Sequence, residues 1–317
     1  MTGNRASLVE FEKTSCTLCN SDSGSIIARS RDYEYETTEK EICFVRCSEC
    51  GHVYMTPRPT QGSAHLIYPG NYYTLGDQGS KLSDRIIHRL KTIVLKYRVR
   101  DLVASLPSNA AVLEAGAGDA ALSIAIREHR PDLEVTALDL QFSDNTKARL
   151  HQLNISAIES PLETADLDRK YDLIIMNQLI EHLWQPTSAL KRLHRHTRPG
   201  GLISISTPST EGYDRKWFSD GTWGGYYAPR HLNLFSPDTL NQLLNGCGFR
   251  VISSKPLTAP LVWVRNCSYS LKSGNHKLAS FFYDENLLAV GLFFIIDRLA
   301  IALGKPTSNQ QVIAERQ

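Results

Sequence analysis

Val112-Leu-Glu114-Ala-Gly116-Ala-Gly118-Asp-Ala120 is the stretch on which the fold turns. A short apolar run passes directly into closely spaced small residues. That pattern fits a buried strand turning into a helix, with glycines where backbone amides and the helix N-terminus come close to a ligand. Further on, Val135-Thr-Ala-Leu-Asp139-Leu ends a second apolar run on a carboxylate, 21 residues after Gly118. A carboxylate at the end of a second strand can accept both hydroxyl hydrogens of an unphosphorylated ribose.

Outward from this stretch, short apolar runs alternate with helical patterns, the mark of an α/β chain with a mostly parallel sheet. The expected strands are Ala111–Glu114, Glu134–Asp139, Tyr171–Met176, Leu202–Thr207, Arg250–Ser254 and Gln311–Ala314. Ser236-Pro237 opens a helix with an N-cap serine and a first-turn proline, and Gly246 closes it. Nicotinamide enzymes and methyl-transferring enzymes share the glycine turn and the acidic strand end, so the second half of the chain must arbitrate. There, Tyr171-Asp172-Leu-Ile-Ile-Met-Asn177-Gln178-Leu-Ile-Glu181-His182 is a buried strand running into a polar turn, and Arg198-Pro-Gly-Gly201 turns tightly into the next strand.

With these four elements in this order, the chain resembles the class I S-adenosylmethionine-dependent methyltransferases. The resemblance implies a Rossmann-like fold with a mostly parallel seven-stranded sheet. Ala120 stands where the family pattern has a third glycine. Carried over residue by residue, it implies that Glu114, Gly116 and Gly118 shape the methionine and ribose pocket and that Asp139 holds the ribose hydroxyls. Leu140, Pro161, Leu162 and Glu163 would flank the adenine, and Asn177 and Gln178 would close the pocket beside the transferring methyl.

Five of the seven cysteines fall in the first 50 residues. Cys16-Thr-Leu-Cys19 and Cys47-Ser-Glu-Cys50-Gly51 are two knuckles separated by 27 residues, enough thiolates for a tetrahedral structural zinc ion in a small ribbon-like domain. Cys43 and His52 are further candidate ligands. Met1 to Thr14 contains no apolar core of the kind an export signal needs, so a reduced, cytoplasmic setting is expected. The expected division is a zinc-ribbon-like domain and link over 1–75, a bridging helix over 76–106 and the cofactor-binding domain over 107–317.

The knuckles, the Tyr68-Pro-x-x-Tyr-Tyr link and Pro229-Arg-His231-Leu-Asn-Leu-Phe235 together resemble a bacterial methyltransferase group associated with polysaccharide, deoxysugar and natural-product synthesis. A sugar or nucleotide-linked sugar is therefore the expected acceptor. Residues 212–235 hold seven aromatics and the glycines Gly212, Gly221, Gly224 and Gly225, which read as a mobile aromatic lid over it. A poorly acidic acceptor needs a general base. His231 is the first candidate, and Glu181 with His182 forms a second pair. Some quinone O-methyltransferases of this fold place a metal at a related segment, but Gln178 stands where their earlier acidic ligand would be, so no catalytic metal is expected.

The net charge of +2, from 35 Lys and Arg against 33 Asp and Glu, argues against a broadly cationic nucleic-acid binder. It conceals a basic excess over 81–100 that leaves room for a phosphorylated acceptor. Leu287–Ile296 is an apolar run of ten followed by Asp297-Arg298, too short and too soon charged to span a membrane. Burial against the sheet or in a homodimer is expected for it, with peripheral membrane contact the alternative for a lipid-linked acceptor. The competing functions are a zinc-ribbon RNA methyltransferase and a non-catalytic zinc-binding protein on a degenerate methyltransferase fold.

Overall fold

The structure is a computed structural model; it describes residues 8–68, 95, 99–218, 220–272, 279, 281–283 and 286–317. Most of the expected bridging helix, with all of its basic residues but Arg100, lies outside the described residues; 99–103 are helical.

Seven strands make the central sheet. They are β6 (Ala111–Ala115), β7 (Glu134–Asp139), β8 (Ser156–Glu159), β9 (Tyr171–Asn177), β10 (Thr197–Pro208), β12 (Phe249–Pro256) and β13 (Asn309–Arg316), in the spatial order β12-β13-β10-β9-β6-β7-β8. Strands β8, β7, β6, β9 and β10 pair in parallel, and β13 inserts antiparallel between β10 and β12. This is the Rossmann-like, mostly parallel seven-stranded sheet expected of the chain.

Alternation along the strands builds two cores. Leu113, Ile174, Met176, Ile203 and Ile205 point to one face, where they meet Leu190, Leu193, Leu240 and Leu244 of the helices Pro186–His196 and Pro237–Gly246. Val112, Leu173 and Ile175 point to the other face, against Leu122 and Ile126 of the helix Ala121–His129 and Leu150 of the helix Asp144–Gln152. Each fully buried aliphatic side chain contributes roughly 1.5–3 kcal/mol, so the central strands must be apolar on both faces.

The N-terminal strands are β1 (Phe11–Glu12), β2 (Gly24–Ser30), β3 (Ile42–Cys47), β4 (Val53–Met55) and β5 (Arg58–Pro59). A four-stranded sheet has the order β11-β4-β3-β2, and β11 is Asn233–Leu234, brought in from after β10. The apolar face of this sheet, with Phe44, Val53 and Met55, packs on Trp223, Tyr226, Leu232 and Leu234 in one core. The segment expected to be a mobile lid is thus largely interior. Trp223, Tyr226 and Tyr227 are buried, and of its aromatics only Trp217 is strongly exposed, at 68%. The glycines serve close packing: a Cβ at Gly225 would lie 2.3 Å from the Trp223 ring, and one at Gly224 2.9 Å from the Val262 carbonyl oxygen. A module of this size buries little surface by itself, and the segment 223–235 supplies the other half of its core.

The C-terminal apolar run continues through its charges as one helix, Leu287–Ala302. Asp297 is buried there because the Ala259 amide (2.5 Å) and the Trp263 indole N–H (2.9 Å) donate to it. Phe293 stacks on Trp263 of the helix Pro260–Lys272, while Leu288, Leu292, Ile295, Leu299 and Leu303 face outward. No helix among the described residues is long and apolar enough to cross a membrane.

Candidate active site

The parallel registers bring the sequence-derived candidates to one edge. Ala115 lies opposite Leu138 and Met176, so the glycine turn after β6, Asp139 at the end of β7 and Asn177 at the end of β9 all emerge together. Gly116 and Gly118 take φ of +74° and +57°, which only glycine adopts without strain. A Cβ on Gly116 would also lie 2.9 Å from the Leu179 side chain. Ala120 takes φ +57° too, so the alanine accepts the left-handed turn that the third glycine of the family pattern would make freely.

Asp139 accepts from the Gly118 amide through one oxygen and from the Leu140 amide through the other, both at 2.7 Å. Burial pushes its carboxyl above the ordinary value and these amides pull it back. The Glu114 carboxylate is 3% exposed and accepts from the Ser123 amide (2.9 Å) and hydroxyl (2.6 Å), bracing the helix that follows the turn. Leu140 is 70% exposed, Pro161 is exposed and Leu162 is buried in the core beneath. Asn177 accepts from the Ser206 hydroxyl at 2.6 Å, and Gln178, at φ +53°, donates to Asn309 at 3.2 Å.

Beyond β9 and β10, the same edge carries a second constellation. Glu181 and His182 lie on the single turn Ile180–His182, and His231 comes from the buried segment before β11. One ligand-type atom from each of the three lies within 4.8 Å of the other two. The Thr207 hydroxyl donates to one Glu181 oxygen (2.9 Å), and the other oxygen, buried with no hydrogen-bond partner, lies 4.0 Å from His231 Nε2. His231 Nδ1 is 2.8 Å from the Gly225 carbonyl oxygen, which can only accept, so the proton sits on Nδ1 and Nε2 keeps its lone pair. His182 Nδ1 likewise meets the Arg230 carbonyl oxygen (3.1 Å) and the Tyr68 hydroxyl (3.0 Å).

Burial dominates the protonation of all three. It pushes Glu181 up to about 8, His182 down to about 4 and His231 well below its ordinary value. Near neutral pH the carboxyl is therefore protonated and both imidazoles are neutral. The folded state binds the Glu181 proton more tightly than the unfolded chain, so this group's contribution to stability is complete below about pH 4.3 and is lost as pH rises through about 8. Glu181→Gln should consequently gain on the wild type, by on the order of 3 kcal/mol at about 1.4 kcal/mol per unit, between pH 5 and pH 8. The buried histidines act in the opposite direction but are common to both proteins and cancel. Denaturant unfolding at the two pH values measures the difference; a constant gap would refute the buried protonated carboxyl.

Sequence reasoning assigns no role to Thr207, the Gly225 carbonyl, Asn233, or the ion pair of Arg230 with Asp32, although Gly225, Arg230 and Asn233 stand within the segments quoted above. Arg230 and Asp32 are both fully buried and meet at 2.9 and 3.1 Å. Pairing that keeps them charged in the interior also ties the segment bearing His231 to the N-terminal module. On that module the Sγ atoms of Cys16, Cys19, Cys47 and Cys50 lie within 4.8 Å of one another, whereas Cys43 accepts from Arg29 and His52 turns to Asn233.

A family model described as a methyltransferase domain matches residues 86–254, more than half of the chain. The chain belongs to the methyltransferase-domain family. Among curated proteins, the chain is 26% identical over 129 residues to the ubiquinone biosynthesis O-methyltransferase of Rickettsia akari, covering 38% of this chain and 51% of that protein. It is 26% identical over 178 residues to the malonyl-[acyl-carrier protein] O-methyltransferase of Priestia megaterium, covering 54% and 57%. The chain thus spans about half the length of the curated relatives it matches. Among solved structures, the 1,6-didemethyltoxoflavin-N1-methyltransferase of Burkholderia thailandensis, with S-adenosylhomocysteine bound, superposes at a TM-score of 0.52 and 14% identity, over 92% of this chain and 99% of that one. That likeness establishes the fold, and the family match makes this a methyltransferase domain.

Proposed function

We propose that the chain transfers a methyl group from S-adenosylmethionine to a small-molecule acceptor held beside Glu181, His182 and His231. The observation that carries this reading is the bare Nε2 of a neutral, buried His231 facing an unpartnered Glu181 oxygen, on the same sheet edge as the glycine turn and Asp139. When bound, S-adenosylmethionine supplies an electrophilic methyl group on a sulfonium, and the reaction is an in-line displacement governed by positioning. Asp139 holds the ribose hydroxyls, Gly116 and Gly118 let the backbone approach the cofactor, and Leu140, Pro161 and Leu162 border the adenine. Asn177 and Gln178 close the methionine end, and Glu114 supports the turn from behind. His231 Nε2 would take the acceptor proton as the acceptor atom bonds to the methyl carbon and the methyl carbon–sulfur bond breaks, leaving S-adenosylhomocysteine, and His182 and Glu181 would hold the acceptor atom between them.

The module arrangement and the exposed Trp217 support a sugar or nucleotide-linked sugar as acceptor. The O-methyltransferase names of the curated relatives support oxygen as the methylated atom. The four cysteines hold a structural zinc ion in this reading. A tetrahedron of 2.3 Å zinc–sulfur bonds has edges of about 3.8 Å, and the Sγ pairs Cys16–Cys50 and Cys19–Cys47 lie 3.5 and 3.4 Å apart. The module would serve the enzyme by completing the core under the acceptor segment, with no part in the chemistry.

Radiolabelled methyl transfer from S-adenosylmethionine to a panel of nucleotide sugars, a reduced quinone, malonyl-acyl-carrier protein and transfer RNA tests the acceptor class. Calorimetry with S-adenosylhomocysteine tests the cofactor site: Asp139→Ala should weaken binding at least tenfold. Cofactor affinity unaffected by that change would remove Asp139 from the pocket.

A further inference from the structure

Asn233 lies two residues beyond His231 and is fully buried. Its amide joins three elements that are far apart in the chain. Oδ1 accepts from the Thr17 hydroxyl at 2.6 Å, between Cys16 and Cys19, and from His52 Nε2 at 3.3 Å, just beyond Cys50. Nδ2 donates to the Leu183 carbonyl oxygen at 2.7 Å, the residue after Glu181 and His182. The orientation of the amide is fixed by chemistry, because a carbonyl can only accept. The tautomer of His52 follows: Nε2 donates to Oδ1, and its buried Nδ1 has no hydrogen-bond partner. On either side of Asn233 the backbone repeats the link, with the Leu232 amide donating to the Glu181 carbonyl (2.8 Å) and Asn233 pairing with Tyr54 of β4.

We propose that Asn233 is a positioning residue that couples the cysteine knuckles to the acceptor edge. Closure of the four thiolates fixes the Thr17 hydroxyl, Thr17 and His52 fix the Asn233 amide, and the amide holds the Leu183 carbonyl and with it the turn that presents Glu181 and His182. Asn233, His52 and Leu183 are buried and Thr17 is half-buried, and a buried amide that loses a partner is left with an unsatisfied polar group, so loosening one end is felt at the other. The proposal rests on the assignment of the Glu181–His182–His231 edge as the acceptor site, but its test needs no acceptor.

The full-length protein, loaded with zinc and saturated with S-adenosylhomocysteine, is compared with Thr17→Ser, Thr17→Val and Asn233→Ala by amide hydrogen exchange over residues 179–184, metal analysis and calorimetry. Thr17→Ser should match the wild type. Thr17→Val and Asn233→Ala should keep their zinc and hold cofactor affinity within twofold, yet exchange at least tenfold faster over 179–184. Removing zinc from the wild type with a chelator should loosen the same segment, and removing it from Asn233→Ala should add less than twofold. Full protection of 179–184 in Asn233→Ala, whose cysteines are untouched, overturns the proposal whether or not Thr17→Val loads metal. Equal loosening across the whole sheet overturns it as well, since that is general destabilisation. If instead the exchange pattern is as expected while no acceptor in the panel is methylated, the functional reading fails and the coupling stands.

Discussion

His231→Ala is expected to lower methyl transfer at least tenfold on the acceptor identified by the panel, with S-adenosylhomocysteine affinity held within twofold. A positioned general base contributes typically 10²–10⁴-fold, and His231 has the two properties the task requires. Its tautomer is set by the Gly225 carbonyl, which leaves Nε2 free to accept, and burial keeps that nitrogen unprotonated. Alanine removes the acceptor of the proton but leaves the glycine turn and Asp139, which belong to β6 and β7, in place. The loss should therefore appear in kcat. The pH profile supplies a readout that altered packing would not: because the folded-state value lies well below 6.5, the wild-type rate should not fall as pH is lowered through that value. Unchanged turnover in the variant would take His231 out of the mechanism, and an acid limb centred near 6.5 in the wild type would contradict its buried, neutral state.

The parts of the molecule that could be read from the sequence are those in which a local pattern has a local cause. Buried strands on both faces must be continuously apolar, so β6, β7, β9 and β10 are legible, and a knuckle spacing of two residues brings each pair of thiols together locally, while the β2–β3 pairing joins the two knuckles. β8 was harder to see because its Ser156–Glu159 is an edge strand, largely exposed and without an apolar run. The segment 212–235 reads as a mobile lid for a different reason, although Trp223, Tyr226 and Tyr227 are buried. Glycine marks both hinges and close approaches, and only the distant partner decides between them. Phe44, at 4.6 Å from the Tyr226 ring, is such a partner, and so is the Arg29 carbonyl against which Gly221 packs. Acidic residues pose the same problem: Glu114 and Asp139 both stand near the ends of neighbouring strands, yet one carboxylate turns back to cap a helix and the other lies over the glycine turn.

Cys47→Ser is expected to lose stoichiometric zinc and to lower the first unfolding transition by roughly 10 °C, a few kcal/mol at about 2–4 °C per kcal/mol for a domain of this size. Cys47 ends β3 and is 2% exposed, its backbone closes the knuckle with His52 and Gly51, and its thiol lies 3.4 Å from that of Cys19. A hydroxyl there is a poor zinc ligand, and structural zinc carries folding energy directly, about 10–16 kcal/mol in isolated finger peptides. Here the loss is shared, because the sheet bearing the knuckles has a common core with Trp223, Tyr226 and Leu232 and holds Arg230 through Asp32. Damage should accordingly spread to Glu181, His182 and His231 sooner than to the glycine turn and Asp139, which follow β6 and β7 and have no place in this chain of links. Calorimetry below the first transition should find S-adenosylhomocysteine still bound by Cys47→Ser while methyl transfer is lost. A variant that keeps both its melting temperature and its turnover would show that the four thiols do not hold a structural metal.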